Sequence, residues 1–197
     1  MYLLETQNLT LLRNERIIVQ NISLSIQSGE ILQIRGPNGS GKTSLLRMLS
    51  GIILPTAGEI YWGGELIHDI HYQRNLLYQG HLLGLKSMLT VNENLLLFAK
   101  EPEIREVLLV LNLLKHQNDF VKDLSAGQQR RLTFAKFLLK KAPLWLLDEP
   151  FTALDQATQK LVESLIRKQV QQGGMVILTS HQGIDLNVKY LDLILNM

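Results

Sequence analysis

The sequence predicts an α/β fold: a mixed, mostly parallel sheet with antiparallel strands at its N-terminus and an inserted helical lobe. Three observations predict it. Short strand patterns alternate with helical ones at both ends of the chain. A glycine-rich loop stands between a strand and a helix at residues 36–43. The texture turns wholly helical from about residue 81 to 141, between two α/β stretches.

The elements follow in order. RIIVQNISLSIQ alternates in strand period, with polar turns around it. ILQIR is a short apolar strand leading into the glycine loop, and SLLRMLSG has helical spacing that ends in Gly51. GEIYWGGELI is a second strand–turn pattern. TVNENLLLFAK, EIREVLLVLNLLK and SAGQQRRLTFAKFLLKK all read as helices. The core then resumes with the buried strand LWLLD, the helix ATQKLVESLIRKQVQQ, the strand MVILTS and a final strand in KYLDLILN. This arrangement predicts one domain over 1–197, with 1–80 and 142–197 as the α/β core and 81–141 as the helical lobe. Strands joined by helices imply a parallel sheet covered on both faces.

Composition narrows the function classes. The 197 residues are 46% hydrophobic, within the globular range, and 19% charged, somewhat below average. The low charge fits a surface partly covered by partners. A net charge of +2 is too small to argue for nucleic acid or an anionic membrane surface as partner, and no nucleic acid is expected. With no cysteine, disulfides, thiolate metal sites and cysteine nucleophiles are excluded. No apolar run has bilayer length and the start carries no secretory signal, so the expected compartment is the cytoplasm. Any membrane role then comes through a partner.

Residues 36–43 read GPNGSGKT, the G-x-x-x-x-G-K-[ST] pattern of a phosphate loop. Gly36, Pro37, Asn38, Gly39, Ser40 and Gly41 let the backbone curl so that its N–H groups face a phosphate chain. The helix opening at Lys42, Thr43 and Ser44 aims its positive dipole end at the same anion. Lys42 is suited to the β- and γ-phosphates of ATP, and Thr43 to a Mg²⁺ ion. Asp148 and Glu149 close the strand LWLLDE. The first acid suits the Mg²⁺ shell and the second can polarise an attacking water.

Leu124–Gln128 reads LSAGQ, which resembles the signature of the ABC ATPases. Locally Ser125 caps a helix, and Ser125, Ala126, Gly127 and Gln128 form an anion-ready helix start. The resemblance extends in order across almost the whole chain: phosphate loop, signature, Asp148–Glu149, TALD at 152–155, and His181 after MVILTS. It implies that Glu149 is the general base and that His181 contacts the γ-phosphate. It also implies a head-to-tail homodimer in which Ser125 of one copy meets ATP on Lys42 of the other, and a membrane permease as partner.

Two positions depart from that family. Arg13 stands where an aromatic residue usually stacks on adenine; its guanidinium can stack in turn, or it is a surface charge. His81 stands where a glutamine is usual, with Gln79 expected still in the strand. His81 either helps bind the water or takes no part. GHLLGLK, LSAGQQRRL, Arg13, the ending LTSHQ and the short stretch after His181 together resemble the ATP-binding subunits of the haem exporters of cytochrome c maturation. That resemblance implies attachment to the cytoplasmic face of the cell membrane. A transporter ATPase for another cargo, or a soluble ABC ATPase of translation or repair, is the alternative reading. His68 and His71 could bind a metal but fit a solvated turn better. Arg130, Arg131, Lys136, Lys140 and Lys141 read as a solvated helix face. With no haem-attachment motif and no cysteine, haem binding by this chain is not expected.

Overall fold

The computed structural model describes residues 2–67, 70–152, 154–180 and 187–193. The chain divides into two compact units. The first is Met1–Gly80 with Ala142–Pro150 and Leu165–Met197; the second is His81–Lys141 with Phe151–Ser164.

The first unit opens with a long hairpin, β1 (Leu3–Arg13) against β2 (Arg16–Gln27). Asn14 and Glu15, with φ of 48° and 61°, make the two-residue turn that matches strand twist. β3 (Ile31–Arg35) leads through the glycine loop to α1 (Lys42–Leu49). β4 (Ala57–Trp62) and the short β5 (Glu65–Leu66) follow, then α2 (Ile70–Arg74) and β6 (Leu76–Gln79).

After residue 141 come β7 (Leu144–Leu147), α6 (Gln156–Gln171, its residues up to Ser164 in the second unit), β8 (Met175–Thr179) and β9 (Lys189–Asp192). The antiparallel strands form their own four-stranded sheet, ordered β2-β1-β4-β5. The rest form a five-stranded parallel sheet, ordered β6-β7-β8-β3-β9.

Every residue of β7 and β8 is buried, as expected of strands with both faces covered. Leu32, Ile34, Leu144, Leu146 and Ile177 of this sheet join Leu45, Leu46, Met48 and Leu49 of α1 in one core cluster. The phosphate loop therefore leaves the C-terminal end of a central strand and enters a helix anchored in that core, so its ends are fixed.

The second unit contains α3 (Val91–Leu95), α4 (Glu101–Val110) and α5 (Ala126–Lys140), with one-turn 3-10 segments at Leu114–His116 and Val121–Asp123. Its core comprises residues such as Val91, Leu95, Ile104, Leu108, Leu132 and Phe134. Two helices are shorter than their sequence patterns. Thr90 and Glu93 form a reciprocal capping box that starts α3. Beyond Leu95, however, Leu96 and Leu97 face solvent, so nothing packs against a continuing helix. α4 stops at Val110, and Asn112 (φ 54°) takes the left-handed conformation just past its end.

The basic stretch of α5 is not the solvated face that its charges predict. Arg130 is buried, and Arg131 and Lys136 are half-buried; only Lys140 and Lys141 are exposed. The helix turns Arg130 and Lys136 toward its apolar side, so their stems pack while their charges resist desolvation. The Lys136 ammonium is pushed down to about 8, mainly by burial and secondarily by Lys140.

This shift has a direct consequence. Between about pH 8 and 10.5 the folded chain has released the Lys136 proton while the unfolded chain still holds it. Stability from this group therefore rises with pH through that window. Lys136→Met should abolish that rise and stabilise the protein at pH 7 by on the order of 1–3 kcal/mol. Urea denaturation of both proteins at pH 7 and pH 10 checks it; equal pH dependence in the two would reject the assignment.

Candidate nucleotide site

The loop at 36–43 is shaped by three glycines with positive φ: Gly36 (148°), Gly39 (83°) and Gly41 (92°). Two are also dictated by space. A Cβ on Gly36 would stand 2.5 Å from the Leu193 carbonyl oxygen and 2.6 Å from Ser40 Oγ. One on Gly41 would stand 2.5 Å from the Ile18 carbonyl oxygen. The loop is thus pressed against β2 and the end of β9, where a side chain cannot fit. Lys42 is 8% exposed and donates from Nζ to the carbonyl oxygens of Gly36 (2.8 Å) and Pro37 (3.0 Å). Two of the ammonium's three N–H groups are used there; the third can turn to an anion. The buried Ser40 Oγ has no hydrogen-bond partner among the described residues. A polar cradle of this kind fits a phosphate chain.

The acidic end of β7 is tied to the same loop. Asp148 is 1% exposed, and its carboxylate accepts from two hydroxyls. Thr43 Oγ1 donates to Oδ2 at 2.9 Å, and Thr179 Oγ1 donates to Oδ1 at 2.8 Å. The Asp148 N–H donates to the Gln79 carbonyl at the end of β6 (2.8 Å). Thr179 also accepts from the Glu149 N–H at 2.8 Å. Glu149 adopts φ 49°, an uncommon conformation for a residue with a side chain. One hydroxyl therefore positions both acids.

The Thr43–Asp148 pair suits Mg²⁺. A hydroxyl and a carboxylate within hydrogen-bond distance are the oxygen donors that this hard cation takes beside phosphate oxygens and water. The described residues contain no cluster of three or more His, Cys, Asp or Glu that would form an all-protein metal cage.

Thr179 was not anticipated from the sequence, although it is the one hydroxyl in the otherwise apolar strand MVILT. Gln33 was also missed. It is 1% exposed in the middle of β3, and its Nε2 donates to the Ser180 carbonyl at 3.3 Å. A long polar side chain between apolar neighbours in ILQIR was the available signal.

The remaining candidates are distributed as follows. Arg13 is exposed at the hairpin end of β1, opposite Arg16. A cleft of about 200 Å³ beside the phosphate loop is lined by Ile18, Val19, Gln20, Ile22, Ser40, Asp192 and Leu193. Gln79 is the last residue of β6 and buried, while His81 is exposed. His181, His68 and the side chain of His71 lie outside the described residues.

In the second unit, Ser125 caps α5 with a reciprocal box. The Gln128 N–H donates to Ser125 Oγ (3.3 Å), and the Ser125 N–H donates to Gln128 Oε1 (2.7 Å). Ser125 and Ala126 are exposed, so this helix start faces solvent. Asp155 caps α6 by accepting from the Thr158 N–H (2.7 Å). That bond chiefly holds its carboxyl below the usual range, with Arg131 contributing.

Comparison with known proteins adds findings of three kinds. A family model described as ABC transporter matches residues 19–152. The cytochrome c biogenesis ATP-binding export protein CcmA of Vibrio cholerae is 43% identical over 189 residues, covering 91% of each chain. CcmA of Escherichia coli K12 is 40% identical, covering 94% of this chain and 92% of that one. Among solved structures, a putative ABC transporter ATP-binding protein from Pyrococcus furiosus superposes with a TM-score of 0.85 at 25% identity, over 97% of both chains. An ATP-binding cassette of an ABC transporter in its ADP conformation shares the fold, with a TM-score of 0.79 at 21% identity.

Thr179→Val keeps the shape of the side chain and removes its hydroxyl. Asp148 then loses a buried donor and Glu149 its backbone anchor. ATP turnover should fall by at least about tenfold, the equivalent of ~1.4 kcal/mol, and stability by about 1–3 kcal/mol. Steady-state ATPase rates and thermal melts check this; wild-type turnover would show that the Thr179 hydroxyl does not position the acids.

Proposed function

The chain belongs to the ABC transporter family and, within it, to the CcmA proteins, and on that premise we propose that it drives haem export for cytochrome c biogenesis as the ATPase of a membrane complex. The observation that carries the mechanism is the linked set Thr43, Asp148, Thr179 and Glu149 beside the phosphate loop.

In this reading residues 36–44 hold the phosphates of ATP, with Lys42 on the β- and γ-phosphates. Thr43 and Asp148 hold Mg²⁺, which supplies charge neutralisation on the phosphate oxygens when bound. Glu149 orients a water in line with the γ-phosphate and takes its proton as that oxygen bonds to phosphorus and ADP leaves. Thr179 fixes the backbone of Glu149, so the carboxylate does not have to be ordered at the moment of reaction. His181 contributes a contact to the γ-phosphate.

The exposed start of α5, with Ser125, Ala126, Gly127 and Gln128, binds the γ-phosphate held by a second copy. Two copies then close around two ATP molecules in an isologous pair. Hydrolysis removes the bridging phosphate and lets the pair open. No helix among the described residues is long and apolar enough to cross a membrane. A permease subunit therefore supplies the membrane path, and this chain docks at the cytoplasmic face.

Glu149→Gln keeps size and most hydrogen bonding but removes the base. Turnover should fall by ~10²–10⁴, while ATP binding persists and a closed dimer accumulates. Light scattering with ATP and Mg²⁺ checks this; a monomer with full turnover excludes the role.

The unusual positions are separable in the same assay. Arg13→Ala should weaken ATP more than it weakens inorganic triphosphate if Arg13 stacks on adenine. His81→Ala should lower turnover more than ATP affinity if His81 serves the water.

Lys42→Ala loses the charged contact to the phosphates. A cell with this as its only copy should make apo-cytochromes c but attach no haem to them, while b-type cytochromes stay normal. Haem staining of cytochromes decides the cargo: normal c-type cytochromes would move the chain to another export task.

A further inference from the structure

Behind the exposed start of α5 lies a side-chain relay with only one consistent arrangement of protons. The Ser125 N–H needs an acceptor, so the Gln128 amide presents Oε1 to it, at 2.7 Å. The Gln128 Nε2 then faces His116 Nε2 at 2.8 Å. An amide nitrogen carries only donors, so His116 must accept through Nε2. Its proton therefore sits on Nδ1, which meets Asp119 Oδ2 at 2.7 Å. Each donor in the series faces an acceptor only if His116 is neutral and protonated on Nδ1.

The relay rests on a fixed base. The Asp119 N–H closes a turn onto the His116 carbonyl (3.0 Å). The same segment accepts from the start of α3: Val91 N–H to Asp119 O at 3.0 Å, and Asn92 N–H to Gln117 O at 2.9 Å. His116 is about one-fifth exposed, so the imidazole is set mainly by packing and not by solvent.

We propose that His116, held by Asp119, is a positioning residue for the signature helix start: it orients Gln128 and, through it, the Ser125 backbone and hydroxyl that receive the γ-phosphate of a second copy. The proposal rests on the signature role given above. It assigns His116 no contact with nucleotide on its own chain.

The test uses the full chain carrying Glu149→Gln, titrated with ATP and Mg²⁺ while dimer formation is followed by sedimentation. His116→Ala should raise the ATP concentration for half-maximal dimer by roughly three- to tenfold, the worth of one net hydrogen bond. Binding of a fluorescent ATP analogue to the single chain should stay within about twofold, because the phosphate loop is untouched.

His116→Gln reaches the Nε2 position with an acceptor and should restore dimer formation. His116→Asn, which places its amide at the Nδ1 position, keeps a partner for Asp119 but stops short of Gln128 and should not. Equal behaviour of the Gln and Asn variants, or an unchanged Ala variant, overturns the proposal. If His116→Ala melts early, the Gln–Asn contrast still decides.

Nitrogen-15 NMR of the imidazole gives an answer that does not depend on dimerisation. The neutral Nδ1–H tautomer is expected, its signal assigned by its loss in His116→Gln. An Nε2–H tautomer overturns the proposal. If the Glu149→Gln parent itself forms no dimer, the dimer reading fails, and the tautomer alone rules on His116.

Discussion

The burial of Asp148 is the constraint on which the α/β unit is organised. A carboxylate that is 1% exposed stays charged only where donors replace its lost water. Thr43 and Thr179 supply those donors from the first turn of α1 and the last residue of β8. The end of β7 is thereby tied to a helix and to a neighbouring strand at once. Removing either hydroxyl leaves a buried charge short of a partner, which costs more than the bond itself contributes when made. The same demand for oxygen ligands makes this point attractive to a divalent cation beside phosphate.

Around that point the backbone is held in conformations that unconstrained residues avoid. Gly36 and Gly41 have positive φ and no room for a Cβ. Glu149 has left-handed φ with a full side chain, at a cost of order 1–3 kcal/mol. These states persist because rigid elements over-determine them. β7 and β8 are buried throughout, and α1 lies in the core cluster. Order at the acids and the loop is thus derived from apolar packing behind them.

Much of this was legible in the sequence for physical reasons. Continuous apolar strands such as LWLL and MVILT can only be buried on both faces, so the parallel sheet was readable. The phosphate loop was readable because glycines at fixed spacing have few other uses between a strand and a helix. Helix ends were less readable. The run LLLF continues the helical pattern of α3, but whether it packs depends on neighbours that local periodicity does not contain. The basic residues of α5 misled for the same reason, since a lysine stem can pack as well as a leucine. Thr179 and Gln33 were missed because a single polar residue in a strand has meaning only through its partner across the sheet.

The signature segment obeys a different logic from the phosphate loop. The loop is anchored at its buried Ser40 and Lys42 and needs a core behind them; the start of α5 is exposed and is ordered by its own caps. Ser125 and Gln128 satisfy each other's backbone N–H groups, which stabilises the helix and leaves the intervening Ala126 and Gly127 N–H groups outside the cap. A cap that served stability alone would need no partner for the far end of the Gln128 side chain. Here that end is held by His116, and His116 by Asp119, so the cap is braced from behind. Bracing removes rotamer freedom from Gln128 before any ligand arrives, and freedom already lost in the free chain is not lost again on binding. A helix start that must meet an anion on another molecule gains from this preorganisation, while a purely structural cap gains little.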